Sequence, residues 1–417
     1  MLVGLSAVLF NCAFFFPHQV GFLILLFPIP IFFVVQQRSY AWLKGFVWGL
    51  CIFLPHFWWL LMMLIKHSEG SLTLSVGAYL YAAMYLSLTS GLWFWFAAIL
   101  SSYLAKIGRG AQRILQIVSF SMVTIFYWFF FIDYAVRPMG FKGYPFISPL
   151  IPLASYRWFL KSIALGMYLL GMQSQAPRDV AYIYCPPVMS FDSNVPWRTD
   201  AQIVGQKIRE ALRAVRDERT FAPDQPILYI SPETMFAFPL NSYPEMIGRW
   251  TSILPQGANW IMASTLAHSG RYFATVFRLR DGVTVALYLK KILTPFTEKM
   301  PPYWSALDVL RSPFLKRSVE YSDDCKELGV DFFDIGDSLR IIPRLCMEFF
   351  FCTRDECEKL CDQHKNTWIF FFTSEEWFDY YFRQNFDLLV RLRSQILGLP
   401  VVFCGNLACY KIVPERA

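Results

Sequence analysis

The chain has 417 residues, of which 55% are hydrophobic and 18% aromatic, and its formal net charge is +7. This apolar fraction excludes an ordinary soluble enzyme, and cations scattered along the chain give no basis for nucleic-acid binding. The length fits roughly two to three domains, and the apolar excess lies almost entirely before Gln173.

The first half is predicted to be a multispan α-helical membrane domain over residues 1–174. A spanning helix needs about 20 mainly apolar residues. Seven candidate spans follow in chain order: 2–16, 19–36, 44–65, 72–104, 114–132, 144–157 and 160–174. The segment that begins at Met1 has no basic region or small-residue cleavage site, so no cleavable signal peptide is expected.

Basic residues concentrate in alternate loops between these spans, and such loops normally face the cytoplasm. They are Arg38 and Lys44, then Lys106, Arg109 and Arg113, then Arg157 and Lys161. With seven spans, the N-terminus lies in the cytoplasm and everything after Gln173 lies on the opposite side. Six spans would reverse that orientation.

Two polar features of this half are candidate functional elements. His56 lies within the third span, where an ionisable residue is a functional hypothesis, although packing against a neighbouring helix is the simpler interpretation. The outward loop 137–146 combines cations with aromatic residues. Such a loop is a candidate site for a phospholipid headgroup.

The second half, residues 177–417, is predicted to be an α/β domain, because short strand-like runs alternate with amphipathic helices. The predicted strands are 180–185, 226–231, 259–264, 272–279, 283–289, 339–345 and 366–372, and a helix is predicted over 199–218. An Asp-Gly pair at 281–282 predicts a hairpin turn between two of the strands.

Three reactive residues each follow a predicted strand: Glu233, Lys290 and Cys346. Strand ends are where open α/β sheets collect reactive side chains. A carboxylate can accept a thiol proton, and an ammonium can stabilise the negative charge that develops after the thiolate attacks. Each residue alone has an ordinary structural interpretation, but the ordered set predicts a thiol-nucleophile site.

The chain contains ten cysteines, which raises the question of a metal site or a disulfide. Cys352, Cys357 and Cys361 lack the paired spacing of zinc ligands, and only His364 lies nearby. We therefore expect no metal and no cofactor, and sequence alone assigns no disulfide pairing.

These residues resemble the nitrilase (carbon–nitrogen hydrolase) superfamily, which has a Glu–Lys–Cys triad in a layered αββα sandwich. With the multispan half, the chain is similar nearly end to end to the apolipoprotein N-acyltransferase family of the bacterial inner membrane. The matching stretches are 232–234, 288–298 with its Pro295-Phe296 pair, 346–348, 376–378 and the membrane-loop residues 143–146.

The resemblance implies a role for each matched residue. Glu233 would be the general base, Lys290 the oxyanion stabiliser and Cys346 the nucleophile. Glu298 and Glu348 would have supporting roles. The residues that would bind the lipid substrate are Trp377, Trp197 and Phe296.

The implied reaction moves an acyl chain from a phospholipid, typically phosphatidylethanolamine, through a Cys346 thioester to the α-amine of a diacylglyceryl-cysteine on an apolipoprotein. Its partners would be the donor lipid, the apolipoprotein and the bilayer, with the catalytic domain in the periplasm. A membrane-tethered amidase with the same triad is a second interpretation.

The chain departs from the family pattern at several positions. Met347 stands where the family usually has Tyr, Thr297 where it has Gly, and Ser374-Glu375 where it has Asn-Asp. The family also continues with further strands and a final span beyond the region of Asn406. The chain is therefore expected to be a divergent, C-terminally shortened member, and a catalytically decayed paralogue is a third interpretation.

Overall fold

The computed structural model of the protein describes residues 1–37, 39–67, 72–104, 150–170, 179–184, 209, 228–233, 239–242, 244–293, 321–322, 328–362, 364–374 and 380–416. The predicted span 114–132, the loop 137–146, most of the span 144–157 and all but Arg209 of the helix 199–218 lie outside these residues. Within the described part, one compact unit contains residues of 1–160 and 377–392. The other contains residues of 161–300, 317–376 and 393–417.

The first unit is helical. Its helices are α1 (Leu2–Phe15), α2 (Pro17–Val20), α3 (Pro28–Gln36), α4 (Ala41–His56), α5 (Trp58–His67) and α6 (Leu72–Leu104). Single 3₁₀ turns occupy Gly21–Leu25 and Pro152–Ser155, and α7 (Arg157–Leu169) begins at the end of this unit. Proline at the first position of α2 and α3 suits a helix start, since its fixed φ is helical and it lacks an N–H that would have no partner there.

Two helical segments of the described residues, Pro17–Val35 and Ser75–Leu100, are long and apolar enough to cross a membrane, and Leu2–Phe15 is a shorter apolar helix. The predicted span 44–65 is instead two helices, because α4 ends at His56 and α5 begins at Trp58. Pro55 lies in the last turn of α4 and Phe57 leaves helical geometry. A proline removes a backbone hydrogen bond and crowds the preceding turn, and this one lies two residues before the break.

Two glycines one turn apart let α4 approach α6 closely. A Cβ on Gly45 would lie 2.6 Å from the Ser90 carbonyl oxygen, and one on Gly49 would lie 2.7 Å from the Ser87 Cα. Small residues spaced by four positions are typical of helix pairs packed within membranes. His56, at the end of α4, is buried, and its ring meets the Phe14 ring edge-on with centroids 5.0 Å apart. That contact is the packing expected of the simpler interpretation.

The second unit contains two five-stranded mixed sheets within the described residues. The first sheet has the order β1 (Tyr182–Tyr184), β2 (Leu228–Ser231), β3 (Asn259–His268), β4 (Arg271–Arg280) and β5 (Val283–Leu289). The second has the order β10 (Cys409–Ile412), β9 (Val401–Cys404), β8 (Asn366–Phe372), β7 (Leu339–Leu345) and β6 (Phe333–Ile335). Each sheet contains three successive parallel strands, β1–β3 in the first and β7–β9 in the second.

Helices accompany the sheets in the same unit: α8 (Pro244–Thr251), α9 (Glu348–Phe351), α10 (Arg354–Leu360) and the second part of α11 (Tyr380–Leu397). Thr353 caps α10 in a capping box with Glu356, which satisfies two N–H groups at the helix start. The predicted hairpin is confirmed. β4 and β5 are antiparallel across Asp281 and Gly282, whose φ angles of 49° and 85° suit an Asp-Gly turn.

The core of this unit lies between the sheets. Buried side chains of both sheets form one cluster, including Ile230, Ile261 and Val276 from the first and Ile341 and Phe370 from the second. Two sheets that each bury an apolar face in this way are held mainly by the hydrophobic effect. The α/β prediction for the second half is therefore confirmed.

An ion cluster around Asp334 gives a pH-dependent contribution to stability. Hydrogen bonds from Arg340, then from Lys365, hold the pKa of the Asp334 carboxyl below its ordinary value of 3.8. A carboxyl with a lowered folded-state pKa stabilises the fold above its ordinary pKa, and this contribution is lost as pH falls through the folded-state pKa. Asp334→Asn should cost about 1 kcal/mol at neutral pH and less at pH 2.

Denaturant unfolding at both pH values checks this prediction. Asp331→Asn is the matched control, because Asp331 pairs with Lys291 and both side chains are 49% exposed. It should change stability by less than about 0.5 kcal/mol. Equal losses for Asp334→Asn at both pH values would contradict the assignment of the effect to charge.

Candidate active site

Glu233 and Lys290 lie at the same edge of the first sheet. Glu233 comes two residues after β2, and Lys290 directly follows β5. β3 is parallel to β2, and two antiparallel pairings separate β3 from β5, so β2 and β5 run in the same direction. The peptide N–H of Lys290 still donates to the Ala274 carbonyl at 2.9 Å, which fixes its backbone against β4. Its side chain is only 3% exposed.

Cys346 sits in a sharp turn at the corresponding edge of the second sheet. It directly follows β7 and precedes α9, and its N–H donates to the Phe372 carbonyl at the end of β8, 2.7 Å away. Its φ is +46°, a left-handed conformation that costs a non-glycine residue about 1–3 kcal/mol. Backbone strain of this kind clusters at functional sites, and here it falls on a partly exposed thiol.

The buried carboxylate of Glu348 joins the Lys290 and Cys346 segments. It accepts a hydrogen bond from the N–H of Lys291 at 2.8 Å and from the N–H of Leu345 at 3.4 Å. These donors are the chain neighbours of Lys290 and Cys346. One carboxylate therefore binds the end of β5 to the end of β7, across the two sheets.

The surroundings of Glu348 are polar, buried and charged. Burial raises the pKa of Glu348 above its ordinary value, and the charge of Arg344 is the largest of several effects that oppose this rise. Smaller opposing effects come from the Tyr288 hydrogen bond, the Lys291 N–H and the charge of Lys290. Lys290 therefore lies close enough to Glu348 to act on it electrostatically.

Arg344 and Tyr288 complete this cluster. Burial raises the pKa of Tyr288 well above its ordinary value, and the charge of Glu348 raises it further. Burial lowers the pKa of Arg344, but the charges of Tyr288 and Glu348 and, less strongly, of Cys352 and Cys357 raise it, and the net shift is upward, so Arg344 stays charged. The Arg344 guanidinium stands 5.7 Å from the centre of the Tyr288 ring. The pair presents a fixed positive charge beside the carboxylate.

Asn406 connects Glu233 to the second sheet. It lies in the turn between β9 and β10 and is buried. The side-chain amide is oriented so that its nitrogen and its oxygen both have hydrogen-bond partners. The nitrogen donates to the carbonyls of Glu233 and Thr373, each 3.2 Å away, and the oxygen accepts from Ser374 Oγ at 3.0 Å. Thr373 and Ser374 follow β8, whose last residue, Phe372, accepts the N–H of Cys346. Glu233 and Cys346 are thus both attached to the end of β8.

These contacts bring the backbones that carry Glu233, Lys290, Cys346 and Glu348 to one region of the second unit. Four other predicted site residues lie outside the described part of the chain. They are Glu298, Phe296, Trp197 and Trp377. The roles that the resemblance gives to all eight residues remain predictions.

Sequence reasoning did not assign a site role to Tyr288, Arg344 or Asn406. A signal was present for Arg344, because a cation two residues before the nucleophile interrupts a mainly apolar strand. Tyr288 entered only as the first residue of the matching stretch 288–298, and Asn406 carried no such signal. A tyrosine in a strand and an asparagine in a turn are ordinary there.

Glu348→Ala is expected to destabilise the protein by about 3 kcal/mol, because the N–H groups of Lys291 and Leu345 lose their buried acceptor. Thermal or denaturant unfolding of the full chain measures the loss. Glu348→Gln is the matched control, since its amide oxygen can still accept from Lys291, and it should lose less than half as much. Equal losses for the two variants would show that these hydrogen bonds do not hold the segments together.

No protein-family model and no curated protein matches the chain. Among solved structures, it is similar to a glutamine-dependent NAD⁺ synthetase from Acinetobacter baumannii in complex with ADP. The identity is 11% and the TM-score 0.32, over 55% of this chain and 37% of that chain. A second synthetase of this kind, from Cytophaga hutchinsonii, shows 11% identity and a TM-score of 0.32 over 54% of this chain and 36% of that one.

The chain is also similar to a CN-hydrolase superfamily protein from Xanthomonas campestris that has an arsenic adduct in its active site. The identity is 13% and the TM-score 0.29, over 55% of this chain and 74% of that one. This chain thus spans little more than a third of the length of the two synthetases. By its own sheets and helices, the second unit is a mixed α/β domain with two facing sheets.

Proposed function

We propose that the protein is a membrane acyltransferase that moves an acyl chain from a phospholipid to the N-terminal α-amine of diacylglyceryl-cysteine on an apolipoprotein. The observation that carries the proposal is the bridge made by Glu348. Its buried carboxylate binds the N–H groups next to Lys290 and next to Cys346. A nucleophile and a cation anchored on adjacent backbone segments meet the first requirement of covalent acyl transfer, which is fixed relative geometry.

In the first half-reaction, Glu233 takes the proton of the Cys346 thiol, and the thiolate attacks the sn-1 ester carbonyl of the phospholipid. The Lys290 ammonium stabilises the resulting oxyanion, which a charged donor in a buried site does more strongly than one in water. The carbon–oxygen bond to the glycerol then breaks. The departing oxygen takes the proton back from Glu233, which leaves a lysophospholipid and an acyl thioester.

In the second half-reaction, the free α-amine of the acceptor attacks the thioester carbonyl. Glu233 takes a proton from the amine as the carbon–nitrogen bond forms, and the bond to sulfur breaks to regenerate the Cys346 thiolate. A thioester that separates the two transfers predicts ping-pong kinetics. The resemblance of the lysine stretch 288–298 to the acyltransferase family favours an amine over water as the acceptor.

A lipid substrate agrees with the surface of α6. Along its 33 residues, large apolar side chains are exposed about once per turn. They include Leu80, Met84, Leu88, Leu92, Trp95, Ile99 and Tyr103. Water-exposed surfaces seldom carry a continuous apolar stripe of this length, and 33 residues exceed the thickness of a bilayer core at 1.5 Å per residue. A hydrocarbon environment removes the cost of this exposure.

Residues 1–174 are therefore proposed as a multi-pass domain of the bacterial inner membrane, with residues 177–417 as the periplasmic catalytic domain. The alternation of basic loops supports this orientation. The phospholipid, phosphatidylethanolamine in the first instance, and the apolipoprotein are the proposed partners, and the chemistry requires no metal or cofactor.

The deciding experiment incubates the full chain with vesicles that contain dipalmitoyl-phosphatidylethanolamine and no acceptor. Trypsin then releases residues 345–354, which contain Cys346 together with Cys352. The expected result is one palmitoyl group on this peptide, located on Cys346 by fragmentation and removed by neutral hydroxylamine. A diacylglyceryl-cysteine peptide added afterwards should gain the same acyl chain.

The other two interpretations predict different results from the same preparation. A membrane-tethered amidase would release ammonia from simple amides and would hydrolyse its acyl-enzyme without transfer to the peptide. A decayed paralogue would form no thioester and would fail to restore growth of a strain depleted of its own acyltransferase. Either result would refute the proposed function.

A further inference from the structure

The hairpin that carries Asn406 has a cysteine at each end. Cys404 is the last residue of β9 and Cys409 the first residue of β10, and the two are direct partners in the antiparallel register. The residues between them, 405–408, form the turn in which Asn406 contacts Glu233, Thr373 and Ser374. The Gly405 carbonyl in the same turn accepts a 2.7 Å hydrogen bond from the Tyr184 hydroxyl. This turn therefore joins both sheets beside the candidate active site.

The hydrogen-bond pattern determines how close the two cysteines are. The Cys404 carbonyl accepts a hydrogen bond from the N–H of Thr373, the residue that follows β8. The backbone N–H and C=O of Cys404 therefore point towards β8 and away from β10. The Gly405 N–H donates to the Ala408 carbonyl, one step further into the turn. Cys404 and Cys409 are therefore a non-hydrogen-bonded antiparallel pair, the type whose Cα atoms approach to about 4.5 Å. Disulfides form at Cα separations of roughly 4.4–6.8 Å.

The two side chains also share a face of the hairpin. Residues directly opposite each other on antiparallel strands point to the same side, and both cysteines pack in or against the core between the sheets. Cys404 is fully buried, whereas Cys409 is partly exposed and hydrogen-bonds the Tyr182 side chain. Cys409 is therefore the more exposed of the two cysteines, and Cys404 lies directly opposite it on the neighbouring strand.

We propose that Cys404 and Cys409 are a dithiol modification site that closes to a disulfide across this hairpin, independently of the proposed acyl transfer. The oxidant is a small-molecule or protein disulfide. The Cys409 thiolate attacks one sulfur of that disulfide, forms a mixed disulfide and expels one thiolate. The Cys404 thiolate then attacks the Cys409 sulfur, forms the intrachain bond and expels the second thiolate. The oxidant gains two electrons, and the two thiol protons pass to its released sulfurs.

Closing the bond clamps the turn 405–408. The turn holds the backbone of Glu233 only through hydrogen bonds, which open and close with local fluctuations. A covalent link at the base of the turn restricts those fluctuations and leaves the hydrogen-bonding groups of Gly405 and Asn406 in place. The modification thus stiffens one support of the candidate active site.

The test uses the full chain, treated either with oxidised glutathione or with a reductant, and then alkylated with N-ethylmaleimide under denaturing conditions. Trypsin releases both cysteines in one peptide, residues 394–411, which has no internal Lys or Arg. After oxidation this peptide should be two hydrogen atoms lighter than its reduced, unalkylated form and should carry no maleimide. After reduction it should carry two maleimides.

Variants and a second measurement sharpen the test. Cys404→Ser and Cys409→Ser should each abolish the internal bond. Cys352→Ser should retain it, because Cys352 and its hydrogen-bonded neighbour Cys357 lie outside the hairpin. Amide hydrogen exchange across residues 405–408 should be slower in the oxidised protein.

Two results would overturn the proposal. One is two maleimides on residues 394–411 after oxidation, whether or not Cys352 and Cys357 become linked in their place. The other is a disulfide at Cys404 and Cys409 with unchanged hydrogen exchange in the turn, which would refute the clamp. Neither result bears on thioester formation at Cys346, so failure here is distinguishable from failure of the proposed function.

Discussion

Cys346→Ser is expected to abolish acyl transfer, with the rate falling by about 10⁴-fold or more. A serine hydroxyl has almost the size of the thiol and suits the same turn. A carboxylate base can produce a thiolate but not a comparable fraction of alkoxide, because the hydroxyl holds its proton far more tightly. The variant should fold, bind lipid and form no covalent adduct. Mass spectrometry of residues 345–354 after incubation with phosphatidylethanolamine measures the adduct directly.

Cys361→Ser is the matched control for this result. Cys361 is partly exposed like Cys346 and lies in the same unit, but it follows α10 rather than a strand end. Its substitution should leave both the thioester and the transfer rate unchanged. Retained transfer in Cys346→Ser would mean that another group is the nucleophile, whatever the control does.

The second large effect is expected for Lys290→Met, which should lower the rate of thioester formation by about 100- to 1,000-fold. Methionine has nearly the length of the lysine side chain but offers no charge to the oxyanion of the tetrahedral intermediate. Lys290 is buried, and the methionine side chain fills nearly the same volume, so the packing around it should be kept. The loss should therefore appear in kcat rather than in stability or in KM.

Lys291→Met is the neighbouring control. The Lys291 ammonium is half-exposed and pairs with Asp331, while its peptide N–H, the part bound by Glu348, is unchanged by the substitution. Transfer by this variant should stay close to that of the unaltered protein, because an exposed ion pair contributes little. If the two methionine variants lost equal activity, the charge of Lys290 would have no special role in catalysis.

Local sequence patterns predicted the elements that position these residues. The bounds of β7 and β8 agree with the predicted strands 339–345 and 366–372, because each is a short, mainly apolar run. The Asp281-Gly282 hairpin was equally predictable, since few residue pairs other than Asn-Gly and Asp-Gly easily adopt two successive positive φ angles. From these elements alone, the sequence placed Glu233, Lys290 and Cys346 after strands.

Other features could not be predicted from the local sequence. The break between α4 and α5 falls inside an apolar run whose composition suits one helix, although Pro55 marks the place. β9 and β10 were not predicted, because their short runs gain stability from pairing with β8 rather than from their own pattern. Glu298, Phe296, Trp197 and Trp377 lie outside the described residues, and their roles remain predictions.

The sequence by itself thus determined which chemical groups follow which strands, because strand periodicity and turn residues are properties of neighbouring positions. Only the tertiary structure decided that Glu348 would hold the chain beside both Lys290 and Cys346, and that Asn406 would hold Glu233 to the end of β8. Apart from the local bond between Leu345 and Glu348, those hydrogen bonds join segments that are far apart in the chain. They exist because two sheets bury their apolar faces against each other, and this packing brings the strand ends together.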